Sequence, residues 1–263
     1  LPDMPRLSRW RRTSMAEFSL NGKKALVAGD SRFWAKYAAA ALAEAGADVA
    51  IAARNPQKLQ AAAGEVQRLG RKAITVTTDV TKAYQVQAAV DRVVSEFGKI
   101  DILVNAADLQ FAKPFAEIKK EEWQKVMDAN LTSVFLCSQT VGREMLKQKK
   151  GRIINIASCL AERGLANTTA YGAAMGGVLQ LTRALALEWA REGITVNAIG
   201  AGWMAETERT GAWQEEQLLR YLPTKRYGHP REIGSLLVYL ASDATDFVSG
   251  QFMYVDGAIM AHL

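Results

Sequence analysis

Two hydroxyl side chains and their neighbours carry the chemistry this chain could perform. Ser158 closes the apolar run INIAS, and Tyr171 follows it after twelve intervening residues. A serine and a tyrosine brought to one place can donate hydrogen bonds to a carbonyl oxygen or to an oxyanion developing from it, as an acid pair or a recognition site. Tyr171 alone is a poor base, because a phenol at its ordinary pKa of about 10 is ionised to roughly one part in a thousand at pH 7. A cation one helical turn along the same face would change that. The residue at that spacing is Met175, which has neither charge nor donor. Cys159 stands next to Ser158 as a candidate nucleophile, but no histidine lies in sequence reach and the thiol reads as buried. The only histidines are His229 and His262, without a cysteine or carboxylate at ligand spacing, so no metal site is expected.

Such side chains need a frame, and the hydropathy pattern supplies one. From Lys23 onward, short β-rich runs alternate with longer helical patterns, the mark of repeated βαβ units and a parallel sheet. Strands are predicted at 23–28, 47–54, 73–80, 100–106, 152–158, 194–200 and 251–257. Helices are predicted at 35–45, 56–69, 83–97, 121–147 with a break near Asn130, 169–192 and 230–241. The polar, Trp-containing stretch 204–225 is too long for an ordinary connection and reads as a helical lid or substrate loop. Trp203, Met204, Trp213, Leu218 and Tyr221 would cover an apolar small molecule, or equally serve as core or subunit interface. The fold class is therefore α/β: a single-domain, doubly wound parallel sheet of Rossmann type over 19–263, preceded by a basic extension over 1–18.

With 263 residues and 49% apolar composition the chain can bury a substantial core. Its net charge of +6 comes largely from Arg6, Arg9, Arg11 and Arg12 around Trp10. Such a tail could touch an acidic protein partner, an anionic lipid or nucleic acid; a short solvated extension explains it as well, and no nucleic-acid role is expected. Two cysteines, Cys137 and Cys159, cannot build a disulfide framework, which fits a reducing, cytoplasmic compartment. No stretch approaches the roughly 20 apolar residues of a membrane span, and no signal-peptide core is seen.

In a doubly wound sheet the ligand sits at the carboxyl ends of the strands, where the strand order reverses. The turn to inspect is Gly29-Asp30-Ser31-Arg32-Phe33-Trp34-Ala35. Phe33 there would fill space that a phosphate or ring needs, and Asp30 adds negative charge beside an anion site. Arg54 ends the second strand and Arg32 lies in this turn; both could be solvated surface arginines.

Along nearly its whole length the chain resembles the short-chain dehydrogenase/reductase superfamily. The resemblance rests on the Ser158-to-Tyr171 spacing, on Asn130 in DANLTSVFLCSQ, and on Asn105-Ala106-Ala107-Asp108 after the fourth strand. It rests also on Asn197-Ala198-Ile199, and on Ser249-Gly250-Gln251 through Val255-Asp256-Gly257. It implies that Ser158, Tyr171 and Asn130 belong to a catalytic set, with Asn130 in a proton relay. It implies a nicotinamide cofactor held by Gly29, Phe33 and Asn105, with Asp79 and Val80 bordering the adenine and Arg54 and Arg32 near a 2′-phosphate. The family carries lysine where Met175 stands, and glycine where Phe33, Ala35 and Asp108 stand. Halohydrin dehalogenases within the superfamily keep the serine and tyrosine and fill the glycine loop with an aromatic, which Phe33 resembles.

These departures cluster on the nicotinamide side, and the leading expectation is a diverged member impaired in cofactor binding and hydride transfer. It would act as a non-redox enzyme or as a binding or assembly subunit, with no cofactor or weak NADP(H). The alternative is an NADP(H)-dependent oxidoreductase on a small carbonyl or alcohol, with Lys36 or Arg163 as substitute cation. The resemblance also implies a homo-oligomer, dimer or tetramer.

Overall fold

Buried aliphatic runs become strands, and the amphipathic stretches between them become helices. The computed structural model describes residues 18–29, 33–207 and 219–261. Seven strands, β1 (Lys24–Ala28), β2 (Asp48–Ala53), β3 (Ala73–Thr77), β4 (Ile102–Asn105), β5 (Gly151–Ser158), β6 (Ile194–Ala201) and β7 (Phe252–Val255), form one sheet. Their order is β3-β2-β1-β4-β5-β6-β7, and every pairing is parallel. β5 and β6 are buried nearly end to end, as central strands covered on both faces must be.

The helices are α1 (Trp34–Glu44), α2 (Pro56–Arg68), α3 (Ala83–Phe97), α4 (Lys120–Met127), α5 (Ser133–Gln148), α6 (Thr169–Glu188) and α7 (Gly234–Ala241). Helices α1, α2 and α7 cover one face of the sheet through Leu42, Leu59, Val66 and Leu237; α3, α5 and the end of α6 cover the other through Val90, Val93, Val141 and Trp189. Local chemistry fixes the ends. Asn55 caps α2 by accepting from the Lys58 amide at 3.0 Å, with Pro56 in the first turn, and Gly98 ends α3 at φ 79°. The expected break near Asn130 is a single π turn, Asp128–Thr132, between α4 and α5.

The expected strands, and the expected helices apart from the lid over 204–225, are found, most within a residue or two of their expected ends; the first four residues of 230–241 form a 3-10 turn, Pro230–Ile233. β3 and β7 are shorter than expected, and the last turn of 169–192 is a separate 3-10 turn, Ala190–Glu192. The basic extension around Trp10, Arg32 of the first turn, and Trp213 and Leu218 of the expected lid lie outside the described residues. Among the described residues no helix is long and apolar enough to cross a membrane.

Candidate active site

The parallel sheet sends the ends of β1 and β4 out side by side, where the strand order reverses. Gly29 makes this possible: it holds φ +126°, and a Cβ there would lie 2.3 Å from the Ala107 backbone nitrogen. Only glycine permits that approach. Around this point the strand ends line two concavities. A cleft of about 590 Å³ is bordered by Arg54, Asp79, Val80, Lys82, Ala107 and Asp108. A pocket of about 440 Å³ is bordered by Phe111, Ser158, Leu160, Tyr171, Trp203 and Met204, among others.

The two hydroxyls meet as their spacing suggested. Ser158 ends β5 and caps the following turn by accepting from the Leu160 amide at 3.2 Å. Tyr171 lies in the first turn of α6, largely buried, and lines the same pocket as Ser158. The phenol donates to Asp108 Oδ1 at 2.8 Å, and the other carboxylate oxygen of Asp108 accepts from the Trp34 indole nitrogen at 3.2 Å. Burial, then the charge of Asp108 and its bond, raise the Tyr171 pKa well above its ordinary value, with Ser158 opposing. The groups that move it most are thus Asp108, Ser158 and Cys159, none of them a cation.

Met175 is 1% exposed and packs with Val126, Val134, Ala157 and Val178, so the position one turn after Tyr171 is closed with apolar contacts. The two substitute cations expected from sequence are engaged elsewhere. Lys36 lies 3.4 Å from Glu206, and Arg163 donates to the Ile259 carbonyl at 2.5 Å and to the Tyr221 hydroxyl. Trp203 and Met204 border the pocket, while Tyr221 is partly exposed beside Arg163.

Asn130 sits in the π turn with both side-chain polar atoms engaged: Oδ1 accepts from the Leu109 amide at 2.8 Å, and Nδ2 donates to the Leu109 and Val126 carbonyls at 3.0 Å. It staples the segment bearing Asp108 to α4. Asn105 is also turned inward, donating to Ser138 at 3.0 Å and to Asn155 at 2.8 Å. Asn155 in turn donates to Thr182 at 2.8 Å.

Phe33 lines a small pocket with Gly29, Ala35 and Ala53 beside the glycine loop. It precedes α1 with φ −152°, and its ring packs into the core cluster of α1 and α2 at 4.6 Å from the Trp34 ring. The aromatic bonded into the Tyr171 constellation is Trp34, one residue on. Sequence reasoning missed Trp34 and noted Asp108 only as a glycine lost and an acid gained; the two polar groups flanking the glycine loop and the fourth strand were the available signal.

At the other end, Asp79 accepts from the Thr81 amide at 3.0 Å and hydroxyl at 2.7 Å. Burial raises its pKa, but these bonds and the charges of Arg54 and Lys82 outweigh burial and leave it below the ordinary value. Burial pushes the Cys137 thiol up to about 12 and, against a bond from Ser158, the Cys159 thiol up to about 11. Neither is a ready nucleophile. Among the described residues no group of three or more metal-binding side chains assembles.

A family described as enoyl-(acyl carrier protein) reductase matches residues 34–259. The 5-keto-D-gluconate 5-reductase of Escherichia coli K12 is 36% identical over 248 residues, 92% of this chain and 97% of that protein. The chain belongs to the short-chain dehydrogenase/reductase superfamily. Within that superfamily, a 3-oxoacyl-[acyl-carrier-protein] reductase of Synechocystis is 38% identical over 92% of this chain and 98% of its own. A gluconate 5-dehydrogenase from Burkholderia cenocepacia, solved with NADP and tartrate, superposes with a TM-score of 0.88 at 35% identity, covering 94% of this chain and 98% of that one. These relatives correct the leading expectation of a non-redox or assembly role: short-chain dehydrogenase/reductase relatives that span the chain are named as reductases and dehydrogenases.

Proposed function

We propose that this chain is an NADP(H)-dependent oxidoreductase that interconverts a small carbonyl compound and its alcohol. The observation that carries the reading is the convergence of the Ser158 and Tyr171 hydroxyls on the wall of one pocket at the carboxyl ends of the strands. Paired donors of this kind polarise a carbonyl and stabilise the alkoxide that forms from it.

The residues present fit the cofactor. The backbone approach at Gly29 leaves no room for a Cβ, Arg54 offers a guanidinium to a 2′-phosphate, and Asp79 and Val80 border the cleft where an adenine would lie. Asp108 borders the same cleft, its carboxylate held by the Trp34 indole. Bound NADP(H) would supply or accept the hydride at the carbonyl carbon. Ser158 and Tyr171 would orient the substrate oxygen, and Tyr171 would exchange a proton with it. Asn130 would act by holding the Asp108 segment in place, its side chain being committed to Leu109 and Val126.

The described residues lining the pocket include no Lys, Arg, Asp or Glu, and Phe111, Leu160, Leu165, Trp203 and Met204 share its walls with the uncharged polar Gln110, Thr168 and Tyr227. That favours a carbonyl on an apolar body over a sugar acid. Outward-facing apolar side chains on the long helices, Phe135 on α5 and Leu187 on α6, favour a homo-oligomer.

Calorimetric titration with NADPH and NADH, followed by assays with NADPH and either cyclohexanone or 5-keto-D-gluconate, tests the reading. NADPH is expected to bind more tightly than NADH, and Arg54→Ala to weaken NADPH by about tenfold, or 1.4 kcal/mol, while leaving NADH unchanged. No binding at millimolar cofactor would sink it.

A further inference from the structure

Asp108 stands between the two concavities. Its Oδ1 accepts from the Tyr171 phenol in the wall of the substrate pocket, while the residue itself borders the open cofactor cleft. We propose that Asp108 is the proton partner of Tyr171, taking through the phenol the proton that alcohol oxidation releases and returning it when a carbonyl is reduced. This rests on the oxidoreductase reading and names how that site moves its proton.

A tyrosine that works as a free phenolate needs a nearby cation, and Met175 closes the position that would hold one. Burial and Asp108 hold the phenol protonated. The site therefore needs a route in which Tyr171 is never left negative. In oxidation, the alcohol O–H bond breaks and its proton passes to the phenol oxygen as the phenol's own proton passes to Asp108 Oδ1. The electron pair of the C–H bond leaves with the hydride for oxidised nicotinamide, the oxidant of the proposed activity. Reduction runs each transfer backwards: Asp108 is a carboxylate before oxidation and a neutral acid after it, and Tyr171 stays a neutral phenol at both ends of the step.

Among the described residues, the groups facing the pair include Ser158 and Cys159 on Tyr171, from the end of β5 and the turn after it, and the Trp34 indole on Asp108, from α1. Across the cleft stand Arg54, Asp79, Lys82, Glu121, Lys125 and Asp128, through which Asp108 exchanges protons with solvent. Asn130 offers no competing side-chain route, since both its polar atoms are bonded to backbone.

Asp108→Asn keeps an acceptor for the phenol but cannot hold the proton, and Asp108→Glu keeps the carboxyl. In oxidation of cyclohexanol with NADP+, Asp108→Asn is expected to lower kcat by about a hundredfold, the lower range of general acid–base catalysis. It should also remove the acid limb of the pH–rate profile, and Asp108→Glu should restore part of both. Ultraviolet difference titration against Tyr171→Phe reads the coupling without turnover: the phenol is expected to ionise at lower pH in Asp108→Asn than in the wild type. Wild-type turnover with an unchanged Asp108→Asn pH profile and tyrosine titration overturns the proposal alone. No NADPH binding and no turnover by the wild type sinks the redox reading and the transfer with it.

Discussion

At the residue scale, Tyr171 illustrates how much a neighbour decides. Its spacing from Ser158 was legible, because one closes a strand and the other opens the next helix, and such spacing survives folding. Its bond to Asp108 was not, because residues 108 and 171 meet only when β4 and β5 pair and α6 packs back. The same holds for the aromatics: which of Phe33 and Trp34 faces the site depends on the backbone turn before α1, where Phe33 has left helical geometry at φ −152°. Met175 supports a prediction at this scale. Met175→Lys places an ammonium in a site 1% exposed to solvent, and unfolding in urea is expected to show a loss of about 2–4 kcal/mol. Tyr171 should ionise at lower pH in the same variant. Unchanged stability would mean that the new ammonium reaches Asp108.

At the element scale, the pocket depends on how the opposite ends of the strands are tied down. Lys23 before β1 and Lys150 before β5 both bind Asp243, at 2.8 and 2.9 Å, just after α7. Buried Arg152 at the start of β5 donates to the Ser242 carbonyl at 3.2 Å and to Asp246. Burial raises the Asp243 pKa, but the bonds from Lys23 and Lys150 outweigh it and bring it down to about 2. An unfolded aspartate titrates near about 3.9. The tie thus contributes stability that is full above that value and is lost as pH falls through about 2. Acid unfolding followed by circular dichroism is expected to have a shallower slope in Asp243→Asn, and an identical slope would show the tie to be inert. None of this was legible in sequence, since the partners lie far apart in the chain and only the closed sheet brings them together. The π turn at Asp128–Thr132 was foreseen as a break, but not its purpose, which is to aim Asn130 at Leu109.

At the scale of the whole molecule, the alternation of strands and helices was enough to read the doubly wound architecture, because parallel strands need helical crossovers and buried strands announce themselves as aliphatic runs. The activity was harder to read, because it turns on a few side chains at the strand ends whose partners come from elsewhere in the fold. Assembly is likewise a property of the complete surface. Phe135 is 44% and Leu187 82% exposed on the long helices, and sedimentation of Phe135→Glu is expected to shift an oligomer toward monomer; a wild type already monomeric would refute the interface. Beneath the reactive ends runs the inward-facing row Ser138, Asn105, Asn155 and Thr182, the last donating to the Val178 carbonyl at 2.7 Å. Slipping β4 against β5 by a single residue would leave several of these amides and hydroxyls without partners in a dry interior. The row works as a key that accepts one alignment, and it belongs to a different layer from Trp34, Asp108 and Tyr171. Protein engineers can therefore exchange pocket-wall residues such as Leu160, Trp203 and Met204, as in grafting a new substrate pocket, while the layer below keeps the sheet in register.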